Sequence, residues 1–297
     1  MEGPNYFRDA FGYFKRKTVI PGTDGLANAM QSAIKAHKFV LPEGGRVLDN
    51  DLRALPDIVR LPYPTLVLEY ACEEDVLRPI AQEAVDKGSD DAEIQFMLKG
   101  GFRRDKLIVI AMQKDDKDID VFIIFHSPLQ NNWASPPFEC TIPSKKEEVM
   151  NFLDSAIIPV RVESDHGMSQ EWFQKIVWAT MQGPVRAIYE VVEALSFSNI
   201  TEMDIPAKKM TFTESRKKAL PYDSYKVLVV DKTQKIVGAG RSEQRAPVQP
   251  GERRQSREHT RRGHDRTYKR SGKKIWINPM VINAGVGGTI IKDYSVK

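Results

Sequence analysis

Apolar residues along the chain change period several times, and each change predicts an element. In residues 24–37 Leu26, Met30, Ala33 and His37 recur near 3.6 behind Asp24, which predicts an amphipathic helix. Residues 40–64 are punctuated by Pro and Gly and read as loop. Residues 65–70 follow Pro64 with branched and aromatic side chains, a strand signal. Residues 73–87 are helical in pattern, with Pro79 kinking the helix or setting its start near Arg78. Three strand-like runs come next, at 92–99, 106–113 and 118–126, the last two joined by the Asp-rich turn 114–117 of a hairpin.

Ser144 and Glu147 form a capping-box pattern for a helix reaching about Ser155. Residues 169–196 are the longest helical stretch, and Gly183-Pro184 should break or kink it into two. Residues 210–220 are polar and basic, and 222–230 read as a strand. From 238 to 260 large apolar side chains nearly vanish, so that stretch cannot pack a core. Short strands should return at 275–277, 281–282 and 289–291, either as a small β unit or as strands rejoining a main sheet. Helices mixed with antiparallel hairpins, without regular βαβ alternation, predict an α+β fold with a mixed or antiparallel sheet. The expected organisation is an α+β body over 1–237, a flexible basic linker over 238–260 and a basic β-rich module over 261–297.

A length of 297 residues, 41% of them hydrophobic and 28% charged, excludes disorder along the whole chain. No apolar run approaches the ~18–20 residues of a membrane helix, and the first residues lack a signal-peptide pattern. Only Cys72 and Cys140 are present, too few for a disulfide framework or a Cys-rich zinc site. A cytoplasmic setting without cofactor, metal or membrane contact is the expectation.

Charge changes the picture more than composition does. The net charge is +4, yet residues 241–274 hold twelve Lys/Arg against four acids, and the rest of the chain is slightly acidic. Such asymmetry suits a segment that meets a polyanion, although a solvated basic loop has the same composition. Arg257, Arg261, Arg262, Arg266, Lys273 and Lys274 suit phosphate oxygens, and His264, Tyr268 and Trp276 offer rings for stacking. That mixture fits RNA or single strands better than a duplex groove, since no groove-reading module is visible. Trp276 also sits in an Ile-Trp-Ile run that suits a core anchor. His259 and His264 could supply the base and acid of a metal-independent ribonuclease, with arginines for the charge developing on phosphorus. His126 closes an apolar strand and reads as a core or edge residue.

The stretch from His259 through Gly263-His264, followed by Ser271-Gly272-Lys273-Lys274-Ile275-Trp276-Ile277, resembles a pattern common in uncharacterised bacteriophage and prophage proteins. Asp265 stands where an aromatic residue is more typical of that pattern. The resemblance implies a phage protein acting in the bacterial cytoplasm and no particular reaction. Three functions stay open at this point: nucleic-acid binding by the C-terminal module, host takeover by inhibition of a host enzyme or anti-phage defence complex, and RNA cleavage.

Overall fold

The computed structural model describes residues 3–17, 24–48, 52, 55–88, 90, 92–100, 103–114, 118–136, 138–154, 160–162, 170–208, 224–230, 259–261, 264–269, 271–277 and 280–282. At its centre are β2 (Thr65–Glu74), β3 (Arg104–Lys114) and β4 (Asp118–Ser127), paired antiparallel in that order. The β3–β4 hairpin is in the expected place, with Lys114 opposite Asp118. On the β2 side follow β1 (His37–Val40), β9 (Ser224–Val230) and β8 (Ile200–Pro206). β1 runs parallel to both β2 and β9, which makes the sheet mixed. On the other side β5 (Asn132–Ala134) and β6 (Phe138–Pro143) share the edge of β4, and β7 (Val160–Val162) closes the sheet beyond β6. The fold is α+β.

Helices cover both faces of this sheet, which is why its central strands are apolar nearly throughout. Val67, Ile108, Ile110, Phe122 and Ile124 point to one face, under α1 (Tyr6–Lys17) and α2 (Asp24–Ile34). Their alternates Leu66, Leu68, Leu107, Val109, Val121 and Ile123 point to the other, under α5 (Lys146–Asp154) and α6 (Gln170–Ser196). α3 (Arg78–Asp86) and α4 (Ala92–Leu98) pack through Leu77, Ala81, Ile94 and Met97 against Ile176 of α6.

Several sequence expectations need correction. Residues 92–98 form helix α4 where a strand is expected: Ile94 and Met97, three apart, are buried, while Phe96 is 36% exposed. α2 stops at Ile34, and His37 opens β1 instead of ending the helix. Lys38 explains the early stop, since its buried ammonium donates to the carbonyls of Ala33, Ile34 and Ala36 and so closes the helix C-terminus. α6 continues through Pro184 as one helix. Proline lacks the N–H that would bond Thr180 O, and the buried guanidinium of Arg104 donates to that carbonyl at 3.2 Å. Pro79 behaves as the sequence predicts, at the first turn of a helix that starts at Arg78.

One polar group sits deep in the sheet. Glu69, fully buried on β2, accepts hydrogen bonds from the first amides of α1, Tyr6 N at 2.8 Å and Phe7 N at 3.2 Å, and from Tyr225 Oη at 3.3 Å. Burial pushes its carboxyl up to about 7, against the pull of those donors and of Lys38, whose own ammonium is brought down to about 8 by burial. The N-terminus of α1 and the C-terminus of α2 are thus both closed by charges on the sheet face they cover.

Candidate nucleic-acid interface

The basic motif folds as a β-ribbon. β11 (His264–Thr267) pairs antiparallel with β12 (Lys274–Ile277), and β10 (His259–Arg261) with β13 (Met280–Ile282). Arg261 is opposite Met280 and His264 opposite Ile277, three residues apart in sequence on each side, so the two ladders share one register. Among the described residues these strands pair only with each other and do not rejoin the main sheet.

The ribbon tip is closed by Tyr268 N–H donating to Lys273 O at 2.9 Å and by the amides of Ser271 and Gly272 donating to Tyr268 O. Gly272 sits at φ +66°, a left-handed conformation that glycine adopts without a Cβ penalty. The Ser-Gly of the sequence motif is therefore a turn that brings Lys273 back beside Tyr268.

What holds the ribbon in place is Trp276. Its side chain is 4% exposed and packs with Leu48, Ala194, Phe197 and Ile200, its ring centroid 5.9 Å from that of Phe197. Asn199 grips the same residue in both directions, accepting from Trp276 N and donating to Trp276 O, each at 2.7 Å. Ser198 N–H and Oγ–H both donate to Lys274 O. Of the two roles the sequence allows Trp276, the structure has the core anchor, and its ring offers no exposed face for a base.

With the tryptophan turned inward, the cations lie outside. Arg266, Lys269 and Lys273 are exposed, and Lys274 is half-buried. The Arg266 guanidinium lies 5.0 Å from the centroid of Tyr268, a cation–π contact that presents planar cation and ring together. Among the described residues no carboxylate forms an ion pair with Arg266, Lys269 or Lys274. Chemically this is a ribbon edge bearing point charges and one Arg–Tyr cation–π pair, suited to phosphate oxygens.

The remaining expected site residues are placed less fully. His259 and Arg261 belong to β10 and His264 opens β11, while Arg257 and Arg262 lie outside the described residues. His259 pairs with Ile282 in one ladder and His264 with Ile277 in the other. Nothing local in the sequence marks Asn199, Ser198 and Phe197, because the strand they hold lies about eighty positions away.

Elsewhere, His126 is buried, with Nδ1 2.8 Å from Asp105 Oδ1 and its ring against Trp133, as a satisfied core histidine. Cys72 and Cys140 are buried and not joined in a disulfide, and burial pushes the Cys140 thiol up to about 12, away from nucleophilic use. Among the described residues no group of three or more His, Cys, Asp or Glu is arranged to hold a metal ion, and no helix is long and apolar enough to cross a membrane. No protein-family model, curated protein or solved structure matches this chain.

Proposed function

We propose that this is a phage-type, nucleic-acid-binding protein of the bacterial cytoplasm, whose α+β body carries the basic ribbon 259–282 as its contact to RNA or single-stranded nucleic acid. The observation that carries this reading is the outward set Arg266, Lys269 and Lys273 on a ribbon pinned by a buried tryptophan. A pinned ribbon loses little conformational freedom on binding, so its charges act at low entropic cost. With the ring at the tip half-buried and Trp276 withdrawn, contact runs mainly through the sugar-phosphate backbone, and little sequence preference is expected.

Cleavage is the weaker reading. It needs His259 and His264 as an acid–base pair beside one phosphate, whereas binding needs only the exposed cations. The test is fluorescence anisotropy with a labelled single-stranded RNA. Lys269→Glu/Lys273→Glu should weaken binding by about tenfold or more while leaving the fold intact, since both residues are exposed. Unchanged affinity in that variant contradicts the proposal. Retained affinity for a host protein after nuclease treatment, without RNA affinity, would point to host inhibition.

A further inference from the structure

A second cationic feature lies on the body, apart from the ribbon. At the sheet end where β2 leaves for α3, a cleft of about 510 Å³ is lined by Asp75, Arg78, Leu98, Lys99, Arg103 and Leu129, with Gly100 and Pro128 between them. Its walls come from three separate stretches, fixed by local backbone bonds. Arg78 opens α3, with its amide on Asp75 O at 3.2 Å. Gly100, at φ +78°, turns the chain after α4, its amide on Met97 O at 3.0 Å, and Arg103 N–H donates back to Gly100 O at 3.0 Å. That turn sets Lys99 and Arg103 on the same rim. Pro128 and Leu129 come from the β4–β5 connection, and Leu129 is 59% exposed.

Three cations face one acid around this cleft. Arg103 also stands 4.0 Å from Glu73, but both side chains are largely in solvent and the contact is weak. Asp75 keeps Oδ1 buried, where among the described residues it receives no hydrogen bond. A buried acceptor without a donor is costly, so this carboxylate gains by turning toward a donor in the cleft. The lining therefore asks for three things in one molecule: a multiply charged anion, an apolar body and a hydrogen-bond donor. With three cations against one acid, a carboxylate ligand would leave one positive charge unmatched, whereas a doubly charged phosphoryl group matches both.

We propose that this cleft binds a small phosphorylated ligand of nucleotide type, its phosphoryl oxygens on Arg78, Lys99 and Arg103 and its ring against Leu98 and Leu129. The volume is in the range of small-molecule sites, ~300–1,000 Å³. The assignment does not rest on the nucleic-acid reading, since it uses none of the ribbon residues.

Calorimetric titration of the full chain with ADP, adenosine and pyrophosphate tests it. ADP should saturate one site with a dissociation constant of about 1 mM or tighter, and adenosine and pyrophosphate should each bind at least about tenfold more weakly. Arg78→Ala and Arg103→Ala should each weaken ADP by about tenfold or more. Lys269→Ala/Lys273→Ala on the ribbon should leave ADP binding unchanged. Absence of saturable ADP heat, equal binding in the cleft variants, or loss in the ribbon variant overturns the proposal. Pyrophosphate as tight as ADP overturns the role given to the leucines. RNA affinity measured on the same variants separates the two sites: failure of the ribbon reading leaves ADP binding intact, and failure here leaves RNA binding intact.

Discussion

Arg104 reaches from the start of β3 to Thr180, where its Nη1 donates at 3.2 Å to the one carbonyl that Pro184 strands inside α6. A guanidinium 2% exposed thus keeps the 27-residue helix continuous where its own sequence would interrupt it. The same helix carries Ile176 under α3 and α4 at one end and Ala194 under the ribbon at the other. Its continuity fixes the spacing of the two.

This relationship predicts a coupling. Arg104→Met should destabilise the fold by about 2–3 kcal/mol, because Thr180 O is left buried without that donor. Restoring the backbone N–H with Pro184→Ala should recover part of the loss, so the double variant is more stable than the two single effects added together. Urea denaturation of the four proteins measures it. Strict additivity would show that the guanidinium does not serve this carbonyl.

Glu69 predicts a pH dependence of opposite sign to that of an ordinary paired carboxylate. Its folded pKa of about 7 lies above the ordinary carboxyl value of 4.5, so between about 4.5 and 7 the native state binds more protons than the unfolded one. Stability from this group is fully present below that window and is lost as pH rises through it. Lys38 stays charged across the window, since its folded value is about 8, and adds no slope there. Relative to Glu69→Gln, the wild type should lose on the order of 1–3 kcal/mol between pH 4.5 and 7 by urea denaturation. A wild-type advantage that grows with pH would contradict the assignment.

Trp276 predicts that docking and binding fail together. Trp276→Ala empties the space between Leu48, Phe197 and Ile200 and should cost about 3–5 kcal/mol of ribbon docking. Asn199→Ala, which leaves Trp276 N–H and C=O without their partner, should act in the same direction by about 1–3 kcal/mol. Limited trypsin digestion should then cut the ribbon earlier in both variants, and RNA affinity should fall although no exposed cation has changed. Unaltered digestion in both would place the anchor elsewhere.

Much of the body was legible because its elements are locally consistent. The β3–β4 hairpin announces itself by two apolar runs around an Asp-rich turn, and Pro79 marks the start of α3. What escaped depended on distant partners. α1 buries Phe7, Ala10 and Phe14 at helical spacing, but its many charged residues obscure that period in the sequence. β1 is four residues long and β8 carries Glu202 and Asp204 on the sheet edge, so neither offers an apolar run to read. Lys38 ends a helix, and Arg104 continues one, from positions that helix periodicity never samples. In the candidate site, the hairpin and its charge were visible in sequence. The inward turn of Trp276 was visible only as an alternative, because Leu48 and Phe197 lie far away along the chain.

The central claim is that the ribbon edge holds a polyanion by charge, and the salt dependence of binding to a single-stranded RNA addresses it most directly. If Arg266, Lys269, Lys273 and Lys274 each neutralise one phosphate, log affinity should fall linearly with log salt at a slope of about −3 or steeper, and Lys269→Ala/Lys273→Ala should flatten that slope by about 1.4. A slope near zero, or one that the ribbon variant leaves unchanged, contradicts the account.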